Sequence, residues 1–256
     1  MRKVDRLPLS TTTLDFLKKR QLRVIEAGDQ AAQPSKRQAA QYEEARRLWG
    51  SSYKDNEAFD EVRKTLREMA PGHEFCMYCE YSHGSAIEHF APMEKDPANA
   101  FEWDNYLWSC SVCNSNYKGP QFPLDESGLP LLINPAREEP REHIEFSPRS
   151  GKLSGRTPKG NTTIAVLGFD RRGNLDNTRL FAWGSVQRCL VSYDEACTEG
   201  NSVRALEVQR DLCQHPHASL LSLLIEVLEK PGGALLVAER RCGPILAAYP
   251  EIRSWV

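Results

Sequence analysis

The sequence has no apolar run of the roughly 20 residues that cross a lipid bilayer. Its richest apolar run, ASLLSLLIEVLE, is too short to span and is typical of a helix in a protein core. Internal repeats, low-complexity segments and a phosphate-binding loop are also missing. The sequence therefore argues against a membrane-spanning or repeat architecture, and it predicts that this chain does not hydrolyse nucleotides by itself.

A strong net charge is another missing feature, since 33 Lys and Arg residues face 35 Asp and Glu residues, for a net charge of −2. Residues 1–71 carry 15 basic and 11 acidic side chains (+4), whereas residues 72–110 carry one basic and seven acidic side chains (−6). Proteins that bind nucleic acid unaided usually present a basic surface. This balance predicts weak intrinsic affinity for nucleic acid, so a partner would have to supply such binding.

No recognisable secretory signal opens the chain, so its eight cysteines are expected to stay reduced, in the cytoplasm. The length of 256 residues fits one or two domains, and 40% hydrophobic and 27% charged residues are ordinary for a globular protein. Four cysteines are scattered and are expected to be small buried apolar side chains. They are Cys189, Cys197, Cys213 and Cys242.

The other four cysteines form two Cys-x-x-Cys pairs, Cys76 with Cys79 and Cys110 with Cys113. Two residues between the thiols allow both to face one metal from a tight turn, and two such pairs complete a tetrahedral, structural Zn²⁺ site. Unrelated reduced cysteines and disulfides are the alternatives. The pairs are 30 residues apart, which is longer than in a simple zinc ribbon.

Polar residues typical of a catalytic site lie within and just after this interval. GSAIEHF is a predicted strand, on which adjacent Glu88 and His89 point to opposite faces. Asn105 follows in FEWDNYLWS. Asn114 comes directly after the last cysteine of the two pairs and opens a predicted helix that runs through Lys118. The structural alternatives are a core histidine for His89, a turn residue for Asn105, a helix cap for Asn114 and a helix-terminal cation for Lys118.

The order Cys-x-x-Cys, Glu-His, Asn, Cys-x-x-Cys-Asn-x-x-x-Lys resembles the HNH endonucleases, which have a ββα-metal core. The resemblance implies that His89 is the general base and that Asn105 holds the loop that orients it. It also implies that Glu88 and Asn114 are ligands of a catalytic metal ion. Lys118 is a candidate contact for a substrate phosphate.

Two positions depart from the usual HNH pattern. Glu88 stands where Asp is usual, and Asn114 stands where His is common. Oxygen ligands of this kind favour a hard ion, Mg²⁺ or Mn²⁺, over zinc. A neutral imidazole near its ordinary pKa of about 6.5 could then take a proton from the water that attacks a phosphodiester.

A wider resemblance covers most of the chain from Met1 to about Leu175. The segments MRKVDR, CMYCE, IEHFAPMEK, LLINP and TIAVLGFDRRGNL are similar to the HNH nuclease subunit of Septu-type and retron-associated anti-phage systems. This resemblance implies an antiviral defence complex in which an ABC-type ATPase is the partner. Its substrate would be nucleic acid, either DNA or RNA such as tRNA.

The predicted fold is α+β, with a ββα-metal core and Cys₄ zinc knuckles at residues 72–135. A helical region at residues 1–71 precedes it, and a small hairpin with a C-terminal helical region at residues 136–256 follows. Within these regions, the patterns predict the following elements: helices over Ser10–Ala27 (with Leu14, Leu17, Val24 and Ile25 as its apolar stripe), Ser35–Trp49 and Asn56–Met69, a strand at Leu131–Ile133, a hairpin around Ser150, and helices over Leu175–Cys197, Val203–Cys213, Ala218–Glu229 and near the C-terminus.

A non-catalytic zinc-ribbon module that binds nucleic acid or protein is the competing function. The cysteines alone do not distinguish it from a nuclease. Glu88, His89 and Asn114 favour the nuclease, because a binding module does not require a base beside a carboxylate.

Overall fold

Helices dominate the computed structural model, which describes residues 1–52, 56–72 and 74–255 and is α+β with two small sheets. The α-helices within these residues are α1 (Thr11–Asp29), α2 (Arg37–Ser52), α3 (Glu57–Met69), α4 (Pro158–Val166), α5 (Gly173–Thr198), α6 (Ser202–Cys213), α7 (Leu220–Glu229) and α8 (Cys242–Ala248). The strands are β1 (Ala86–His89), β2 (Tyr106–Ser109), β3 (Ile144–Phe146) and β4 (Leu153–Gly155), and a π-helix spans Val112–Lys118.

The predicted N-terminal helices are confirmed, and polar caps explain where they begin. Ser10 caps α1 by accepting a hydrogen bond from the backbone N–H of Thr13, and Asn56 caps α3 through Ala58. The predicted apolar stripe of α1 is wrong at Leu14, which is 40% exposed. The buried stripe of α1 is instead Thr13, Leu17, Gln21, Val24 and Gly28, so two polar side chains face the core.

β1 and β2 form an antiparallel hairpin between the two cysteine pairs. Their register pairs Ala86 with Ser109 at the cysteine end and His89 with Tyr106 at the other end. The π-helix follows β2 after two residues, so the elements come in the order strand, strand, helix. The strand predicted within GSAIEHF is confirmed, and it spans Ala86–His89.

The strand predicted at Leu131–Ile133 is wrong. Leu131 donates one backbone hydrogen bond to Pro123, and Leu124 pairs with Pro130 in an isolated bridge. Proline has no backbone N–H, so two prolines on facing segments prevent a longer ladder.

Two hydrophobic clusters form the core of the part of the chain that the structure describes. The first includes side chains from Val4 to Leu175 and thereby joins the N-terminal helices to the cysteine segment. The second runs from Phe146 to Ile252 and lies among α5, α7 and α8. The predicted hairpin is confirmed as β3 and β4, and the predicted C-terminal helices are confirmed with shifts of a few residues at their ends.

Glu80, which directly follows the first cysteine pair, connects the two halves of the chain. Its buried carboxylate accepts a hydrogen bond from the Ser219 hydroxyl at 2.5 Å and pairs with the α-amino group of Met1 at 2.7 Å. Its carbonyl oxygen accepts a hydrogen bond from the backbone N–H of His217 at 2.9 Å. These contacts hold the first knuckle against the start of α7.

Among the described residues, no helix combines the length and apolar character that crossing a membrane requires.

Close packing of α4 on the hairpin can be tested with a single methyl group. A Cβ at Gly160 would overlap the carbonyl group of His143, so we expect Gly160→Ala to lower the free energy of unfolding by about 1–3 kcal/mol. Gly243→Ala is the matched control, because its Cβ would meet open space in α8. Thermal unfolding of both variants measures the difference, and equal midpoints would contradict the packing described here.

Candidate metal centre and active site

The sulfur atoms of Cys76, Cys79, Cys110 and Cys113 all lie within 4.8 Å of one another, and all four residues are buried. Tetrahedral zinc with Zn–S bonds of about 2.3 Å places its sulfur ligands about 3.8 Å apart. The Sγ atoms of Cys79 and Cys110 are 3.9 Å apart. Four thiol donors with this spacing fit Zn²⁺, so the prediction that the two pairs converge into one possible zinc site is confirmed.

Backbone hydrogen bonds attach the first cysteine pair to the hairpin. The N–H of Met77 donates to the carbonyl of Trp108 on β2 at 2.9 Å, and the N–H of Ser85 donates to Ser109 at 2.9 Å. Cys110 directly follows β2, so the pairing of β1 with β2 brings the second cysteine pair next to the first. The knuckles and the hairpin are therefore one structural unit.

Arg172 lies beside the cysteine cluster and was missed by the sequence reasoning. Its guanidinium donates to Cys113 Sγ at 3.3 Å and is 5.3 Å from the ring centre of Tyr117. Four thiolates around Zn²⁺ carry a net charge of −2, which a buried cation partly offsets. Arg172 lies in the TIAVLGFDRRGNL segment, but only the fold shows which side chain of that segment reaches the cluster.

His89 ends β1 and is held by its Nε2 atom, which donates to the carbonyl oxygen of Ala100 at 2.9 Å. A carbonyl only accepts, so Nε2 carries the proton and the lone pair of the neutral ring is on Nδ1. The imidazole packs against Trp49 and Tyr106, with ring centres 4.4 and 5.2 Å away. A proton can therefore be accepted at Nδ1.

Burial lowers the pKa of His89 to about 4, below the value near 6.5 expected from the sequence. The ring is therefore neutral at cellular pH. Tyr106 was also missed by the sequence reasoning, although it directly follows Asn105. Its hydroxyl donates to the same Ala100 carbonyl at 2.8 Å, so two side chains share one acceptor.

Asn105 closes the loop that contains Ala100. Its side-chain oxygen accepts from the N–H of Ala91 at 2.7 Å, and its Nδ2 donates to the carbonyls of Ala91 and Asn99 at 3.0 and 2.9 Å. The side chain is 7% exposed. It thereby joins the start of the loop, just after His89, to the residue that precedes Ala100.

Glu88 points to the opposite side of β1 from His89 and is 3% exposed. Its Oε1 is 2.5 Å from Nζ of Lys118, which also donates to the carbonyl of His89 at 3.0 Å. Burial raises the pKa of Glu88, and the charge of Lys118 opposes that shift. Lys118 is 1% exposed, so in this conformation it neutralises Glu88 inside the protein and does not face solvent.

Asn114 lies in the first turn of the π-helix and is partly buried. Its backbone N–H donates to Cys110 at 2.9 Å, and its carbonyl accepts from Gly119 at 2.6 Å. The same short helix carries Lys118 to Glu88. Asn114 and Glu88 are thus connected through one helix, although their side chains are not in a described contact with each other.

His215 and His217, which flank Pro216, do not belong to a metal-ligand cluster within the described residues. Nε2 of His217 is 3.1 Å from the hydroxyl of Thr178, and its ring stacks on Tyr81. Both histidines lie in the turn that precedes α7.

Zinc content tests the cysteine cluster directly. We expect the purified chain to hold one Zn²⁺, and we expect Cys113→Ser to lose it because one of four thiolates is missing. Loss of a structural zinc should lower the unfolding midpoint by more than about 10 °C. Cys197→Ser is the control, since Cys197 is outside the cluster. Elemental analysis measures the zinc content of both variants, and thermal unfolding measures their midpoints. Equal zinc content in the two variants would contradict the site.

Comparison with known proteins adds one relative. The chain is 30% identical over 152 residues to "Septu protein PtuB" of Bacillus mycoides (strain KBAB4). The match covers 47% of this chain and 49% of that protein. No protein-family model matches the chain, and no solved structure matches it. The chain is therefore similar to a Septu protein, of whose length it spans about half.

Proposed function

We propose that this chain is a metal-dependent endonuclease of the HNH type, and that it is the nuclease subunit of an anti-phage defence complex. One observation carries the proposal. A neutral histidine at the end of a strand, held in the Nε2–H tautomer, lies next in sequence to a buried carboxylate, on a hairpin attached to a Cys₄ cluster. The similarity to Septu protein PtuB supports the biological setting.

In this mechanism, Nδ1 of His89 takes a proton from the water that attacks the phosphorus of a phosphodiester. The pKa of about 4 keeps the ring neutral, so the base is available throughout the physiological pH range. Asn105 holds the loop that presents Ala100 to the ring. The Cys₄ zinc has a structural role, because all four of its ligand positions belong to the protein.

Glu88 and Asn114 would hold Mg²⁺ or Mn²⁺, which stabilises negative charge on the leaving oxygen when bound. In the structure, the carboxylate of Glu88 pairs with Lys118. Glu88 and Asn114 lie on adjoining elements, β1 and the π-helix. Lys118 can contact a substrate phosphate only if it leaves Glu88. Within this proposal, its resting role is to compensate the buried carboxylate.

The first test is His89→Ala. We expect cleavage to fall by roughly 10²–10⁴-fold, because general-base catalysis is lost while the zinc cluster is untouched. Plasmid and tRNA should both be offered, with Mg²⁺ or Mn²⁺ and with or without EDTA. His215→Ala is the control, since its described hydrogen bond is to Pro216 next to it.

An unchanged cleavage rate in His89→Ala would refute the role of the base. Binding of nucleic acid without metal-dependent cleavage would favour the zinc-ribbon module instead. Cyclic phosphates at the ends of cut RNA would show that the ribose 2′-OH is the nucleophile.

An ABC-type ATPase is the partner that we propose for the C-terminal helices. On α6, Val203 and Leu206 are 66% and 65% exposed and are three residues apart, so they lie on one helix face. Exposed apolar pairs of this kind are suited to protein contacts. The acidic 72–110 segment and the net charge of −2 agree with a complex in which another subunit supplies part of the nucleic-acid affinity.

The partner proposal predicts that Val203→Asp combined with Leu206→Asp abolishes co-purification of the ATPase, because charge on the contact face must be desolvated. Leu22→Asp on α1, at a position that is 47% exposed, is the control. Zinc content and the unfolding midpoint should stay as in the unaltered chain. Retained co-purification would exclude this face of α6 as the contact.

A further inference from the structure

A single peptide group links the N-terminal helices to His89. The carbonyl end of the peptide between Ala100 and Phe101 accepts hydrogen bonds from His89 Nε2 at 2.9 Å and from the Tyr106 hydroxyl at 2.8 Å. The N–H end of the same peptide donates to Oε1 of Gln21 at 2.8 Å. The plane of this peptide is therefore held from both sides.

We propose that Gln21 of α1 is a positioning residue for His89, acting through the peptide between Ala100 and Phe101. The proposal rests on the proposed function, in which His89 is the base. A backbone N–H can only donate, so the orientation of the Gln21 amide is determined by its partner. Rotation of the peptide would break the Gln21 bond and turn the Ala100 carbonyl away from the imidazole.

Burial makes this arrangement stiff. Gln21, Ala100 and Phe101 are 4%, 0% and 1% exposed, so water cannot easily replace a lost bond. Hydrogen bonds that run in series through a peptide group also polarise and strengthen one another at low dielectric. The imidazole therefore responds to the hydrogen bond at the far end of the peptide.

The position of Gln21 argues for a specific role. It lies in the buried stripe of α1, where an apolar side chain would pack at no polar cost. Its Nε2 is buried and has no hydrogen-bond partner among the described residues, so the side chain carries a desolvation penalty at one end. At the other end of the side chain, Oε1 accepts the hydrogen bond from the N–H of Phe101, and this hydrogen bond is what a glutamine provides at the position.

A second contact comes from α2, whose Trp49 packs on the imidazole with ring centres 4.4 Å apart. Helices α1 and α2 thus hold the imidazole through Trp49 and orient its hydrogen-bond acceptor through Gln21. The N-terminal helices therefore belong to the site of the base.

The hydrogen bond of Gln21 therefore influences which nitrogen of His89 carries the proton. With the Ala100 carbonyl in place, the Nε2–H form is favoured and Nδ1 accepts protons. With the peptide free to rotate, the Nδ1–H form competes, and in that form Nδ1 is a donor and cannot act as the base. We expect loss of the Gln21 acceptor to lower the cleavage rate at least fivefold, without a change in KM.

The experiment compares Gln21→Met, which removes the acceptor, with Gln21→Glu, whose carboxylate oxygen can accept the same N–H. Gln41→Met is the matched control, because Gln41 is also a buried glutamine, on α2, and packs against Gly28. The full, zinc-loaded chain is labelled with ¹⁵N-histidine. Two-bond ¹H–¹⁵N spectra then report the tautomer of His89, whose signals are identified by their loss in His89→Ala. Cleavage of plasmid and tRNA with Mg²⁺ is measured on the same samples.

The proposal expects a single Nε2–H tautomer in the unaltered chain, in Gln21→Glu and in Gln41→Met, and a mixture of tautomers in Gln21→Met. An unchanged His89 spectrum in Gln21→Met overturns it, whatever the cleavage rates are. A tautomer shift confined to Gln21→Met, with no cleavage by the unaltered chain either alone or together with its co-purifying partner, supports the positioning role and refutes the nuclease. If Gln21→Met does not fold, Gln21→Asn is read in the same way, because its shorter side chain withdraws the acceptor by one methylene.

Discussion

Convergence of four cysteine sulfurs is the constraint on which the rest of the site depends. The two pairs are 30 residues apart in sequence, yet their sulfur atoms lie within 4.8 Å of one another. This closure aligns β1 with β2 at the cysteine end, where Ala86 faces Ser109, and the alternation of the strands then places His89 opposite Tyr106 at the other end. A one-residue shift in the register of β1 against β2 would exchange the faces of the sheet on which Glu88 and His89 lie.

Opposite faces of β1 provide two different environments. On one face, Glu88 and Lys118 form a buried ion pair, in which each charge makes burial of the other tolerable. On the other face, His89 is surrounded by aromatic rings and stays neutral, with one nitrogen committed to the Ala100 carbonyl. A carboxylate and a neutral imidazole can therefore be neighbours in sequence and still differ in charge state and partners.

Each segment of the chain contributes to this unit. The N-terminal helices supply Gln21 and Trp49, and the segment before α5 supplies Arg172 to the cysteine cluster. Ser219 at the start of α7 holds Glu80, which directly follows the first cysteine pair. The first hydrophobic cluster accordingly extends from Val4 to Leu175, beyond the 72–135 segment that the sequence assigned to the core. That assignment of boundaries stays a prediction.

Local patterns in the sequence were sufficient for the cysteine cluster, for β1, for the hairpin of β3 and β4, and for most helix ends, because metal-ligand spacing, turn residues and caps act over a few residues. They failed at Leu131–Ile133, where Pro123 and Pro130 interrupt pairing with the segment that lies just before it in the chain. The resemblance of the sequence to HNH endonucleases also predicted a site made of His89, Asn105, Glu88, Asn114 and Lys118. Only the tertiary structure decided that Lys118 pairs with Glu88 and that Gln21, 80 residues before Phe101, reaches its N–H, because such contacts depend on how whole elements pack.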